Sequence, residues 1–122
     1  MIEIAQITAL LGLDPDRTVT IGQVPSGSVL RKPASRNMWE VIESGDDSAD
    51  VDEMLRQVCG RLSPVREEIR SLRDAGCEVM VSVIQYLSAA DRTGPGFSLD
   101  SATLEFISFI GAELDVDQYV IE

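Results

Sequence analysis

Residues Cys77–Ser88 read CEVMVSVIQYLS, and this stretch carries the strongest strand signal in the chain. Successive side chains of an extended segment point to opposite faces, and β-branched and aromatic residues favour that conformation. Both alternating sets of positions are apolar: Val79, Val81 and Val83 form one set, and Met80, Ile84 and Tyr86 form the other. Apolar residues on both faces are typical of a buried strand, so the stretch predicts a central strand.

Helices are predicted on both sides of this strand. Apolar residues spaced three and four apart predict an amphipathic helix over residues 51–62 and a second helix from Pro64 to Gly76. After the strand, the same reasoning predicts a helix from Leu99 to Gly111 and a closing strand over Leu114–Ile121.

The first third of the chain predicts one helix and two short strands. Residues 2–12 have helical spacing and end at a glycine, and strands are predicted at Thr18–Ile21 and Met38–Ile42. Helices and strands do not alternate regularly enough for a doubly wound sheet. We therefore expect an α+β fold, with a small mixed or mostly antiparallel sheet and helices packed mainly on one face, in a single domain over 1–122.

Charge and composition restrict the possible functions. The formal net charge is −11, and the chain has no histidine, which excludes histidine-based catalysis and histidine-liganded zinc. Seven carboxylates in residues 37–53 and six in residues 93–122 are accompanied by no lysine or arginine. Such a chain repels nucleic acid and anionic lipid and attracts a basic protein. No secretory signal or membrane-length apolar run is evident, so we expect a cytoplasmic protein. We also expect no cofactor.

Asp115 and Asp117 form the first candidate site. On a strand, both side chains leave the same face, where they could chelate Mg²⁺ or Mn²⁺. The simpler interpretation gives Leu114, Val116 and Val120 the buried face and the aspartates the solvent face. We favour the solvent face, with these aspartates as a secondary partner-binding site and no metal.

A second acidic segment precedes the helix at residues 51–62. It resembles a calcium-binding loop, but Val51 and Gln57 replace the glycine and the glutamate that such a loop requires. Either Asp50 or Ser48 could cap the helix. The acids could offset the positive end of the helix dipole, or they could face a partner. As the main partner-binding residues we predict Asp46, Asp47, Asp50, Asp52 and Glu53.

Three further side chains allow two interpretations each. Trp39, the only tryptophan, either packs in the core or forms an exposed hot spot for a partner. Cys59 and Cys77 are interpreted as buried small hydrophobic residues, with a structural disulfide as the alternative.

The chain resembles a family of small bacterial proteins catalogued as a domain of unknown function, number four-two-seven-nine. The resemblance covers nearly the whole chain and rests on the order of four segments: Ile7–Pro15, Ile21–Gly22, Trp39–Ser44 and Leu104–Tyr119, with the acidic helix leading to Leu62-Ser63-Pro64 between the last two. Members of the family usually have a strand before the first helix, and here that helix begins almost at Met1. The resemblance implies no catalytic residues.

These observations favour a non-enzymatic protein-binding module. Its most specific form is an acidic immunity protein that neutralises a basic toxin domain, an analogy at the level of protein class. One alternative is a small-ligand-binding or regulatory domain with a pocket between sheet and helices. The other is a hydrolase that uses carboxylates, with or without a metal.

Overall fold

The computed structural model describes residues 2–24, 31–45, 50–88 and 96–121. The chain divides into two compact units, Met1–Ile42 and Glu43–Glu122. The expectation of a single domain stays a prediction.

The first unit contains one helix and one two-stranded sheet. Helix α1 (Ile4–Leu11) begins with a reciprocal capping box between Glu3 and Gln6 and ends at Gly12, whose φ of 64° closes the last turn. Strand β1 (Arg17–Val19) pairs antiparallel with β2 (Met38–Glu40).

Backbone and side-chain bonds extend this small sheet at one end. The Asp16 N–H donates to the Glu40 carbonyl at 2.8 Å, and the Asp16 carboxylate accepts from the Ile42 N–H at 2.6 Å. Leu11 and Val19 are the buried apolar residues of this unit.

The helices of the second unit form its core. These are α2 (Val51–Leu62), α3 (Arg66–Asp74) and α4 (Ser101–Phe109), with a 3₁₀ turn at Ser63–Val65 between the first two. Helix α4 contacts both α2 and α3. Their buried apolar side chains, with the residue that follows α4, are Leu55, Cys59, Ile69, Leu72, Phe106, Ile107 and Ile110.

The second unit also contains a two-stranded parallel sheet. Strand β3 (Met80–Ser88) pairs with β4 (Glu113–Ile121) along its whole length, and α4 lies between them in the chain. A parallel pair needs a crossover of this kind because its strands start at the same end of the sheet.

The α+β class predicted from the sequence is confirmed, as are the predicted helices and strands. Pairing in the described part of the chain is distributed over two small sheets, one antiparallel and one parallel. No helix in the described ranges combines the length and apolarity needed to cross a bilayer.

Candidate functional site

Strand β4 begins directly after a tight turn at the end of α4. Gly111 has a φ of 68°, a conformation that side chains with a Cβ disfavour, and its N–H donates to the Ser108 carbonyl at 3.0 Å. The Arg73 side chain occupies the space that a Cβ on Gly111 would need. This turn sets where β4 begins, and it therefore fixes the register of every β4 side chain against β3.

The two faces of the ladder differ in burial. In a parallel pair, residues in register project to the same side of the sheet. One side, which we call the acidic face, is exposed at every position whose side chain the structure describes: Met80, Ser82, Ile84, Tyr86, Glu113, Asp115, Asp117 and Tyr119. The opposite face contains the buried Val83 and Gln85. On that face the β4 side chains Leu114, Val116 and Val120 are exposed, so burial is confined to positions on β3.

Asp115 and Asp117 both lie on the acidic face. They stand in register with Ser82 and Ile84 of β3, and their Cα atoms are about 7 Å apart along the strand, two residues at about 3.3 Å each. Both are exposed, and neither forms an ion pair with any residue in the described ranges. The expected solvent-facing position of the aspartates is what the structure has. The buried face expected for Leu114, Val116 and Val120 is wrong, because these side chains are exposed as well.

Large apolar side chains share this face with the carboxylates. Ile84 is 57% exposed and Tyr86 is 60% exposed, although both lie within a nine-residue strand. Tyr86 stacks on Tyr119 with ring centroids 5.6 Å apart and an interplanar angle of 25°. An exposed apolar strip bordered by polar groups is typical of an interaction surface.

The sequence predicted that β3 is a central strand, and the described residues do not have this arrangement. Here β3 has β4 as its one neighbour, and its Met80–Ile84–Tyr86 side is open to solvent. Apolar residues on both faces of β3 predict burial, and the same pattern is compatible with an exposed binding strip. The sequence therefore does not single out Met80, Ile84 and Tyr86 as candidate binding residues.

Some of the acids predicted as the main partner-binding residues form contacts within the chain. Asp46 and Asp47 lie outside the described residues. Asp50 is the N-cap of α2 and accepts from the Asp52 N–H at 3.0 Å. Asp52 in turn accepts from the N–H and the hydroxyl of Ser98, at 2.9 and 3.1 Å. These two carboxylates therefore have local structural roles.

Glu53 and Asp100 also contact groups of their own chain, at the N-terminal ends of α2 and α4. Glu53 pairs with Arg56 at 2.8 Å. Asp100 is the N-cap of α4, and a hydrogen bond from the Thr103 N–H lowers the pKa of its carboxyl group, with a smaller contribution from the positive charge of Arg56. Ser48, the other cap considered for α2, lies outside the described residues.

Trp39 lies in the first unit, half-buried on β2. Its indole N–H donates to the Thr8 hydroxyl at 3.1 Å, which ties β2 to α1. This contact fits the core-packing interpretation, and it leaves the hot-spot interpretation as a prediction.

Both cysteines are free thiols. Cys59 is buried, and burial raises its pKa, with a smaller contribution from the negative charge of Asp100. Cys77 is half-buried. The expectation of buried cysteines is confirmed for Cys59 and only partly met by Cys77, and the alternative of a disulfide is not what the structure has.

Concave surface in the second unit is shallow. One depression of about 510 Å³ is lined by Gly60, Ser63, Pro64, Arg66 and Glu67, which are exposed or half-buried. A second, of about 280 Å³, lies beside Arg73 and Gly111. Among the residues that the structure describes, no three carboxylates or thiols are grouped as a metal site.

The family comparison matches residues 1–121 to the model described as Domain of unknown function (DUF4279). The chain belongs to the DUF4279 family. No curated protein and no solved structure matches it significantly. Membership in DUF4279 identifies the fold family and assigns no activity, so function must be inferred from the surface itself.

Proposed function

We propose that this DUF4279 chain is a non-enzymatic, cytoplasmic protein-binding module that presents negative charge to a basic protein partner. The acidic face of the β3–β4 ladder supports this most directly. It combines exposed carboxylates with large exposed apolar side chains on one rigid sheet. Apolar side chains supply contact area, and like charges around them select the sign of the partner.

The second observation in support is how the carboxylates are used. Asp50, Asp52 and Glu53 bind groups of their own chain, whereas Asp115 and Asp117 contact no basic side chain in the described ranges. An acid already bound to its own fold offers less to a partner. Within the proposal, Asp115 and Asp117 therefore contribute more to association than the acids before α2.

A basic toxin domain is the specific partner class that we propose, with this chain as its immunity protein. Toxins that act on nucleic acid bind a polyanion and are basic, so an acidic inhibitor is steered to them by long-range attraction. The net charge of −11 supplies that attraction.

Site-specific cross-linking in the host cell tests the proposal. A photo-reactive residue at Ile84 on the acidic face is compared with the same residue at Leu104, which is 50% exposed on α4. We expect a basic protein to be captured from Ile84 and not from Leu104. Capture of an acidic protein, or equal capture from both positions, contradicts the proposal.

Binding of the purified partner then assigns the acids. Asp115→Asn with Asp117→Asn should slow association about tenfold at low salt and should change dissociation less, because the lost interaction is long-range. A second variant neutralises Asp46, Asp47, Asp50, Asp52 and Glu53, and the two variants are compared per charge removed, because this one loses five charges against two. A larger effect per charge in the second variant would place the contact at the start of α2, as the sequence first suggested.

A further inference from the structure

We propose that β4 binds an extended basic segment of the partner as an added strand along its outer edge. This inference rests on the protein-binding function proposed above and gives it a mode of binding. Three features of the described chain support it: unpaired backbone groups, an edge whose one protecting device is negative charge, and the alternation of side chains.

The backbone of β4 is half unpaired. The Glu113 N–H donates to the Val79 carbonyl at 3.1 Å, so it points towards β3. Because N–H and C=O groups alternate in direction along a strand, the next residue and every second one after it point outwards. These outward residues are Leu114, Val116, Gln118 and Val120. None of them bonds to a further backbone group in the ranges that the structure describes.

This edge is protected against strand pairing by negative charge, from Glu113, Asp115 and Asp117, which repels an acidic strand and not a basic one. Other devices that block exposed edges are proline, lysine, a bulge or a very short strand. Strand β4 is nine residues long, contains no proline, glycine or lysine, and keeps an unbroken register with β3. Its residues from Glu113 to Val120 are all exposed, Val120 by 68%. The edge is therefore open to a basic strand.

The side chains of β4 specify which strand fits. An added strand places its own side chains on the same two faces as those of β4. Asp115 and Asp117 would meet one alternating set, and Leu114 and Val116 would meet the other. A segment that alternates lysine or arginine with an apolar residue satisfies both sets at once.

The same charges disfavour a second copy of this chain. Antiparallel pairing of two β4 strands centred on Val116 would set Asp115 of each copy opposite Asp117 of the other. Like charges directly opposite each other destabilise a strand pair. Charge therefore selects a basic partner over self-association.

A short capped peptide of alternating lysine and valine tests the inference on the full chain. Amide hydrogen exchange is followed by NMR with and without the peptide. We expect the Leu114, Val116, Gln118 and Val120 amides to slow by about tenfold or more when the peptide binds, since they gain hydrogen bonds. The Asp115 and Asp117 amides face β3 and should change little. A glutamate–valine peptide of equal length is the charge control and should not bind.

Two N-methylated forms of the peptide separate backbone pairing from charge attraction. One carries the methyl groups on its valines and the other on its lysines. In an added strand the amides of every second residue face β4, so only one of the two forms keeps the amides that bond to it. We expect one form to bind like the parent peptide and the other to fail. If both bind like the parent, the charge-based function stands and strand addition is wrong.

Two further outcomes overturn the inference. The first is a free chain that sediments as a dimer and already protects the four outward amides. The second is the absence of binding by the lysine–valine peptide while Ile84 cross-links to a basic protein in cells, which would leave the proposed function standing without this mode. If the lysine–valine peptide does not bind and Ile84 cross-links to no basic protein, the proposed function is wrong as well.

Discussion

Asp117 lies in register with Ile84 across the parallel β3–β4 ladder, and both side chains project from the exposed acidic face. The adjacent Val83 projects to the opposite face and is 6% exposed, against 57% for Ile84. Two neighbouring β-branched residues of one strand therefore have opposite environments. The difference allows the role of each face to be tested with a matched pair of substitutions.

Ile84→Thr should change the free energy of unfolding by no more than about 0.5 kcal/mol, because an exposed strand position loses little packing and threonine keeps β propensity. Val83→Ala should lower it by about 2 kcal/mol, since it removes buried methyl groups and leaves a cavity. Urea unfolding measures both. Equal costs at the two positions would show that the acidic face is buried in solution.

The alternation that separates these two residues was visible in the sequence, and so were the helices around β3. Helix α2 was predicted over residues 51–62 and is confirmed at Val51–Leu62, because its apolar spacing and its acidic cap act locally. Asp50 was one of two caps considered, and the hydrogen bond to Asp52 identifies it as the cap in the described chain.

Strand pairing was harder to predict, because it joins residues far apart in the chain. Nothing near Met80 indicates that it stands in register with Glu113, and the crossover through α4 makes the pair parallel. Whether a strand side chain is exposed also depends on which residues far along the chain pack against it. Tyr86 looked like a core residue from its neighbours, yet it stacks on Tyr119 in solvent. Of the site, the solvent-facing aspartates were predictable, and the apolar residues beside them were not.

Gly111→Ala should lower the free energy of unfolding by about 1–2 kcal/mol. The φ of 68° is unfavourable for alanine, and Arg73 would have to leave the space that the new methyl group enters. Gly60→Ala is the matched control: this glycine lies inside α2, where nothing approaches its Cβ position. There alanine should raise stability by about 0.5–1 kcal/mol, as expected for a helix interior. Thermal unfolding of both variants measures the difference, and the same sign for both would contradict the assigned turn.

The Asp100 carboxylate should make stability depend on pH in the acid range. Its pKa is lowered in the folded chain by the hydrogen bond from the Thr103 N–H, so it stabilises the fold at a pH above its unfolded pKa, and this contribution disappears as the pH falls through the folded pKa. In Asp100→Asn the cap geometry is kept and the charge is removed. The parent should therefore exceed the variant in stability near neutral pH, and the gap should close below about pH 4.

Asp100→Ala separates the cap from the charge. It removes the hydrogen bond as well, so it should stay less stable than Asp100→Asn at every pH. Urea unfolding at a series of pH values gives both comparisons. A gap between parent and Asp100→Asn that is constant down to acid pH would show that the charge is not stabilised by the helix end.

The Cys59 thiol should react slowly in the folded chain. Burial raises its pKa first, and the negative charge of Asp100 raises it further, so less thiolate is present at a given pH. In a Cys77→Ser variant, a disulfide reagent at pH 8 should modify the native thiol more slowly than the same thiol in urea, because the raised pKa leaves less thiolate and burial restricts access of the reagent. The reciprocal Cys59→Ser variant reports Cys77, which is half-buried and should react sooner. Similar rates for native and unfolded Cys59 would mean that α2 opens readily from the helical core.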